Sequence, residues 1–166
     1  MYKISLMKKI TIAAVCIAII GYSVSCVKST AGYTSCNGVD PAQDSAQLIH
    51  FAADSIMLTK DTTGVYFQIL DSGSGVAPVN TSGLLVTYTG MLMDKTVFAR
   101  DSSSNLKGLQ LGQLIPGWQI GLPKIKKGGH IKLLIPSAFA YGCAGSGNTI
   151  PPNSPVYFDI YLLDVI

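Results

Sequence analysis

The stretch LIPGWQIGLP, residues 114–123, decides how the rest of the chain folds. Pro116 suits the first turn of a helix, where its missing N–H is not needed, and Pro123 stops a helix that reaches it. The stretch therefore predicts a short helix over residues 116–122. No other helix is predicted beyond residue 64, so this helix must be covered by structure of another kind.

On both sides of this helix the sequence consists of short β-prone runs separated by Gly, Pro, Asn and Ser. Strands are predicted at residues 65–70, 84–92, 108–111, 130–135 and 156–164. All nine acidic residues are Asp, so the chain lacks the Glu that is common on surface helices. The pattern is typical of an antiparallel α+β domain with few exposed helices.

Three separated segments resemble FKBP-type peptidyl-prolyl cis/trans isomerases. They are VTYTG at residues 86–90 with Phe98 after it, LIPGW at 114–118, and AYG at 140–142 followed by IPP at 150–152 and VYFD at 156–159. Their order and spacing match the family over residues 62–166. The resemblance implies a twisted antiparallel sheet of five to six strands wrapped around one short helix, which agrees with the elements predicted from the residues alone.

The resemblance also implies catalysis without a nucleophile, a metal or a cofactor. Rotation about an X-Pro bond is slow because its barrier is about 18–20 kcal/mol. A dry apolar pocket solvates the planar, dipolar amide poorly and so favours the twisted state in relative terms. The chain has no CxxC motif or His/Cys cluster, and His50 and His130 stand alone, so no metal or cofactor is predicted.

Carried over by position, the resemblance gives each candidate site residue a role. Trp118 forms the floor under the proline ring, and the N–H of Ile115 and the hydroxyl of Tyr141 hold carbonyls of the bound peptide. The same aromatic residues are also expected to be core residues of a small β domain, and the two roles are compatible. The predicted catalytic set is Tyr88, Phe98, Asp101, Trp118, Tyr141 and Phe158, and the predicted substrate-binding set is Leu114, Ile115 and Ile150.

Two regions depart from the family pattern. The family usually carries Asp directly after the phenylalanine, where this chain has Ala99, and the nearest acid is Asp101. Either a local bulge brings Asp101 into the pocket, or the carboxylate that orients the tyrosine network is missing. The flap carries Ser146 and Thr149, which make that wall more polar than is common. A non-catalytic peptide-binding or chaperone-like module with an FKBP fold is therefore the alternative to an isomerase.

Residues 1–25 have the three parts of a secretory signal peptide: a lysine-bearing start, an apolar run over residues 10–20 and small residues before Cys26. The apolar run is shorter than the roughly 20 residues that span a bilayer as a helix. Cys26 follows Ser-Val-Ser, which resembles the cleavage box of a lipoprotein, so Cys26 is a candidate lipidation site. Ordinary cleavage near Ser25 is the alternative, and either Met1 or Met7 is a candidate start.

The remaining chain divides into three predicted parts. Residues 26–41 are rich in Ser, Thr, Gly and Asn and predict a flexible tether. Residues 42–61 predict a helical extension capped by Asp40 or Asp44, and residues 62–166 predict the isomerase domain. The apolar stripe of the extension is predicted to consist of Ala46, Ile49, Ala53 and Ile56.

Charge and cysteine usage limit the partners and the compartment. The net charge of +3 comes from the three lysines of residues 1–25, and the rest of the chain has nine basic and nine acidic residues, so nucleic acid is not an expected partner. Expected partners are proline-containing polypeptides, the macrolide ligands of the family and, if Cys26 is acylated, a membrane. The chain is predicted to be exported, to the periplasm or the outer membrane as a lipid-anchored protein.

Two cysteines remain if residues 1–25 are removed and Cys26 is lipidated. Cys36 and Cys143 are then the only pair available to form a disulfide in an oxidising compartment. Cys143 follows Tyr141 closely, and it is read either as a small apolar filler or as a redox switch.

Overall fold

The structure, a computed structural model, describes residues 41–53, 58–102 and 110–166. The predicted signal peptide lies outside the described residues, and so does the predicted tether except for its last residue. Within these ranges no helix is long and apolar enough to cross a membrane.

The described residues form one antiparallel sheet of six strands, in the order β1-β2-β5-β6-β3-β4. The strands are β1 (Thr59–Lys60), β2 (Tyr66–Asp71), β3 (Leu84–Leu92), β4 (Val97–Asp101), β5 (His130–Ile135) and β6 (Val156–Val165). Two α-helices accompany them, α1 (Ser45–Ala53) and α2 (Pro116–Gly121). The predicted α+β class is confirmed, with an antiparallel sheet and a short helix.

Helix α2 lies directly against strand β5 because its glycines face that strand. A Cβ atom added at Gly117 would lie 2.6 Å from Ile135 Cδ1, and one added at Gly121 would lie 2.6 Å from Leu133 Cδ1. Real Cβ atoms do not approach other carbons this closely, so neither position accepts a side chain unless the helix or these β5 side chains move. Pro116 occupies the first turn of α2 as predicted, and the helix continues into a 3-10 turn at Leu122–Lys124 that contains Pro123.

Strand β6 separates the interior into two apolar clusters because alternate side chains point to opposite faces of a sheet. Phe158, Ile160 and Leu162 belong to the main core, which also contains Trp118. Tyr157 belongs to a second cluster on the other face, which is centred on Leu48 of α1. The sheet is thus covered on one face by α2 and on the other by α1.

The apolar face of α1 differs from the predicted stripe. Leu48 is fully buried, with Phe51 and Ala52 packed against the same cluster, whereas Ile49 is 58% exposed. The predicted stripe was wrong because it relied on Ala46 and Ala53, which have little apolar surface, and it excluded the leucine and phenylalanine one turn apart. Its fourth member, Ile56, lies outside the described residues.

One strand was not predicted, and another prediction was wrong in its described part. Residues 97–101 form β4, an edge strand that carries the charged residues Arg100 and Asp101 and was therefore not recognised in the sequence. Of the predicted strand at 108–111, residues 108–109 lie outside the described residues, Gln110 forms an isolated bridge opposite Gly83, and Leu111–Gln113 is a 3-10 turn. That turn is closed by the N–H of Leu114, which donates to the carbonyl of Leu111. Leu111 is fully buried, so its apolar character reflects its place in the core and not a strand.

We expect Leu48→Ala to lower the free energy of unfolding by about 2–5 kcal/mol, because it leaves a cavity between α1 and the sheet. Ile49→Ala is the matched control, since it removes an exposed side chain from the next position of the same helix. It should change the free energy by less than about 0.5 kcal/mol. Urea unfolding monitored by the fluorescence of Trp118 measures both. Equal effects of the two substitutions would show that α1 does not pack on the sheet through Leu48.

Candidate active site

An apolar pocket of about 240 Å³ opens between α2 and the β3–β4 end of the sheet. Its volume lies below the roughly 300–1,000 Å³ of pockets that enclose drug-sized ligands, so it suits a side chain of a polypeptide. Six of the nine predicted site residues line it, together with Ala99. The lining residues are Tyr88, Ala99, Leu114, Ile115, Trp118, Tyr141 and Phe158.

The aromatic rings of the pocket meet edge to face. Trp118 contacts Tyr88 and Phe158 with ring centroids 5.2 Å apart in both pairs and interplanar angles of 86° and 90°. Such pairs contribute about 0.5–1.5 kcal/mol beyond the burial of their area and hold each ring in one orientation. Trp118 is 4% exposed, and its indole N–H has no hydrogen-bond partner among the described residues. The floor of the pocket is therefore both rigid and part of the core.

Phe98 reaches this cluster through a bulge in the edge strand. Gly90 pairs with Ala99 and Met91 pairs with Val97, so Phe98 is the extra residue between the two pairs. Its ring packs at right angles against Phe158, at 5.5 Å. A Cβ at Gly90 would lie 2.8 Å from both phenylalanine rings, so glycine is needed there. Phe98 does not line the pocket; it supports the ring that does.

Two hydrogen-bond donors at the pocket have no partner among the described residues. One is the backbone N–H of Ile115, the residue before α2, and the other is the hydroxyl of Tyr141. The segment before Ile115 is held in place by Gln119, whose side-chain amide donates to the carbonyl of Leu114 at 2.7 Å. The arrangement offers an apolar floor with two donors for the carbonyl oxygens of a bound peptide.

Burial keeps both pocket tyrosines in the neutral form. It raises the pKa of Tyr141, with a further rise from Tyr88, and it raises the pKa of Tyr88, with a further rise from the Asp101 carboxylate. A tyrosine with a raised pKa stays protonated to a higher pH. Both hydroxyls therefore remain hydrogen-bond donors throughout the neutral range.

Asp101 lies beside the pocket and not within it. It pairs with Tyr88 across strands β3 and β4 and lines a second, polar groove that also contains Arg100 and Ser102. The side chain that lines the apolar pocket is that of Ala99. The bulge at Phe98 thus leaves Asp101 in electrostatic contact with Tyr88, while the pocket itself has an apolar wall where the resemblance led us to consider a carboxylate.

The flap contributes less to the pocket than its sequence predicted. Ile150 is 4% exposed and packs in the main core, and its backbone is bridged to Ser146; neither residue lines the pocket. Cys143 is disulfide-bonded, so it is not the simple apolar filler that we considered. The other cysteines of the chain lie outside the described residues.

Comparison with known proteins agrees with this geometry. The model of the FKBP-type peptidyl-prolyl cis-trans isomerase family matches residues 75–163. The FKBP-type peptidyl-prolyl cis-trans isomerase FkpA of Escherichia coli K12 is 44% identical over 108 residues, which are 63% of this chain and 38% of FkpA. The outer membrane protein MIP of Legionella longbeachae is 34% identical over 104 residues, covering 62% of this chain and 45% of that protein.

A solved structure shows the same fold over nearly its whole length. The peptidyl-prolyl cis-trans isomerase of Pseudomonas syringae pv. tomato DC3000 has a TM-score of 0.65 and 27% identity, and the match covers 77% of this chain and 98% of that one. The six-stranded sheet is that of an FKBP-type domain. The chain belongs to the FKBP-type peptidyl-prolyl cis-trans isomerase family. It spans only 38% of the length of FkpA.

The two positions that differ from the family pattern, Ala99 and Asp101, can be tested directly. We expect Asp101→Asn to lower kcat/KM for an X-Pro peptide by about threefold to tenfold, because the carboxylate beside Tyr88 is lost. Ala99→Asp should change kcat/KM less than about twofold, since the Asp101 carboxylate already interacts electrostatically with Tyr88. Circular dichroism confirms that both variants are folded. If Asp101→Asn is silent while Ala99→Asp raises activity, Asp101 does not replace the missing acid.

Proposed function

We propose that this chain catalyses cis/trans isomerisation of X-Pro bonds in polypeptides. The observation that carries the proposal is the apolar pocket over Trp118, whose lining residues Ile115 and Tyr141 offer a backbone N–H and a hydroxyl that have no partner in the described part of the chain. The proline ring would lie on the indole, and the donors would hold carbonyl oxygens of the peptide on either side. The macrolide ligands of the family are larger than this pocket, and they are candidates for it through one group of side-chain size.

The chemistry that such a pocket performs is rotation and not bond cleavage. The planar amide is dipolar, and rotation about C–N breaks its resonance and reduces charge separation. An apolar floor withholds solvation from the planar form, and fixed donors orient the peptide before rotation begins. Because each factor of ten in rate corresponds to 1.36 kcal/mol, a few modest contacts that are stronger in the twisted state give a large acceleration.

Protease-independent isomerisation kinetics on an X-Pro peptide test the proposal. Tyr141→Phe should lower kcat/KM by a few-fold to about tenfold, because one donor to the peptide is lost. Trp118→Phe should weaken peptide binding by more than its effect on unfolding explains, since it narrows the apolar floor but keeps most of the volume.

Tyr161→Phe is the matched control for loss of a tyrosine hydroxyl. Tyr161 is 47% exposed and does not line the pocket, so this variant should retain the parent activity. Binding of the peptide without turnover would identify a non-catalytic peptide-binding module instead. Parent activity in both folded pocket variants would exclude this pocket as the site and leave the fold without its function.

We further propose that the protein is exported and anchored by a lipid on Cys26. The signal-peptide pattern of residues 1–25 and the cleavage box before Cys26 support this. The disulfide of Cys143 is an independent support, because disulfides persist in oxidising compartments. The name of the Legionella relative, an outer membrane protein, is in keeping with an envelope location. Cys36 is the disulfide partner we infer for Cys143, since Cys16 falls in the proposed signal peptide and Cys26 would carry the lipid.

Labelling of cells with a fatty-acid analogue tests the anchor. The parent protein should carry the label and sediment with membranes, and Cys26→Ser should lose both properties. Cys36→Ser is the matched control and should keep the label, because its cysteine is not at the cleavage site. Undiminished label in Cys26→Ser would remove the lipoprotein assignment and leave export to be judged separately.

A further inference from the structure

The loop that carries Tyr141 is held by a contact from outside the region that resembles the family. The carboxylate of Asp44, which directly precedes α1, accepts a hydrogen bond from the backbone N–H of Ser137 at 2.6 Å. Asp44 is 5% exposed and Ser137 is fully buried, so water does not replace this bond easily. A buried carboxylate is costly unless its oxygens are satisfied. At Asp44 the N–H of Ser137 satisfies one of these oxygens.

Ser137 is the residue on which the Tyr141 turn depends. Its carbonyl oxygen accepts two hydrogen bonds, from the N–H of Ala140 at 3.0 Å and from the N–H of Gly142 at 2.8 Å. These two donors bracket Tyr141 in the chain. The 3-10 turn Ser137–Phe139 begins directly after Pro136 and strand β5, and it packs against the 3-10 turn Pro41–Asp44. Ser137 is thus held through its N–H by Asp44, and through its carbonyl oxygen it holds the residues on either side of Tyr141.

We propose that Asp44 is a positioning residue for Tyr141 in the isomerase reaction. This rests on the function proposed above, in which the Tyr141 hydroxyl holds a carbonyl of the peptide. Asp44 does not line the pocket; it fixes the backbone at Ser137, and the turn that the Ser137 carbonyl closes places the Tyr141 hydroxyl. The N-terminal extension therefore contributes to catalysis in addition to covering the sheet.

Three substitutions in the full chain separate positioning from general stability. Asp44→Ala removes the acceptor, and Asp44→Ser keeps a good helix-capping group but is too short to reach the Ser137 N–H. Asp44→Asn keeps an accepting oxygen of the same reach. The matched control is Asp71→Ala, because Asp71 also accepts a hydrogen bond from a backbone N–H, that of Gly73 at 2.8 Å. Asp71 is exposed on β2, and strands β5 and β6 lie between β2 and the strands of the pocket, β3 and β4.

Kinetics on an X-Pro peptide, on oxidised protein well below its unfolding temperature, give the functional result. We expect Asp44→Ala and Asp44→Ser to lower kcat/KM by about threefold to tenfold, and Asp44→Asn and Asp71→Ala to lower it less than about twofold. In the Tyr141→Phe background, Asp44→Ser should cost less than about twofold, because residues that act through one another are not additive. Three results would overturn the proposal. They are a threefold to tenfold loss of kcat/KM from Asp44→Ser in the Tyr141→Phe background, a loss in Asp44→Asn as large as that in Asp44→Ala, or the parent kcat/KM in Asp44→Ser.

Amide hydrogen exchange gives a result that does not depend on catalysis. The N–H groups of Ala140 and Gly142 should exchange at least about tenfold faster in Asp44→Ser than in the parent, while those of strand β5 should be unchanged. If the parent does not catalyse isomerisation at all, the proposed function fails, and the exchange rates still decide whether Asp44 orders this turn. Unchanged exchange at both amides would contradict the structural part of the inference. If Asp44→Ala does not fold, the kinetic and exchange comparisons are made with Asp44→Ser alone.

Discussion

Close contact between helix α2 and strand β5 is the constraint on which the rest of the structure depends. Gly117 and Gly121 lie four residues apart on one face of α2, and the side chains of Ile135 and Leu133 occupy the space that their Cβ atoms would need. The helix is short, so it gains little from its own hydrogen bonds and is stabilised mainly by this packing. The contact places Trp118 in the main core, against the face of the sheet that α2 covers. A side chain at either glycine would force the helix, or the β5 side chains that it meets, to move.

Because Trp118 is held there, one set of rings performs two tasks. The edge-to-face contacts of Trp118 with Tyr88 and Phe158 stabilise the core, and the same rings form the floor and wall of the pocket. The packing of these rings also explains why glycine occupies position 90, where the rings of Phe98 and Phe158 pass close to the backbone of β3. Substitutions at these positions therefore change the core and the pocket together.

The main features could be predicted from the sequence because they rest on strong local signals. Pro116 and Pro123 bounded the helix, β-prone runs between turn residues located β5 and β6, and the spaced segments that resemble the family located the pocket. The remaining features depend on distant contacts that leave no local pattern. Strand β4 is a charged edge strand that bends at a bulge, so periodicity did not show it. The buried face of α1 is decided by which side chains the outer face of the sheet accepts.

The position of Asp101 and the role of Asp44 had no usable signal in the sequence for the same reason. A count along β4 places Asp101 two residues beyond Ala99, but only the bulge at Phe98 determines that it lies beside Tyr88 and outside the apolar pocket. Asp44 and Ser137 are 93 residues apart, and their hydrogen bond joins a side chain to a backbone N–H. No spacing rule relates such groups, whereas the fold brings them into contact.

The chain has a single tryptophan, so its indole N–H gives one unambiguous NMR signal for the floor of the pocket. Titration with an X-Pro peptide, compared with the same peptide carrying Ala in place of Pro, tests most directly whether proline binds over Trp118. The indole signal should shift as the proline peptide is added, and its shift should saturate at the same peptide concentration as the shift of the backbone N–H signal of Ile115. With the alanine peptide the indole signal should not shift. Accelerated isomerisation of the proline peptide with an unmoved indole signal would contradict the assignment of this pocket as the site.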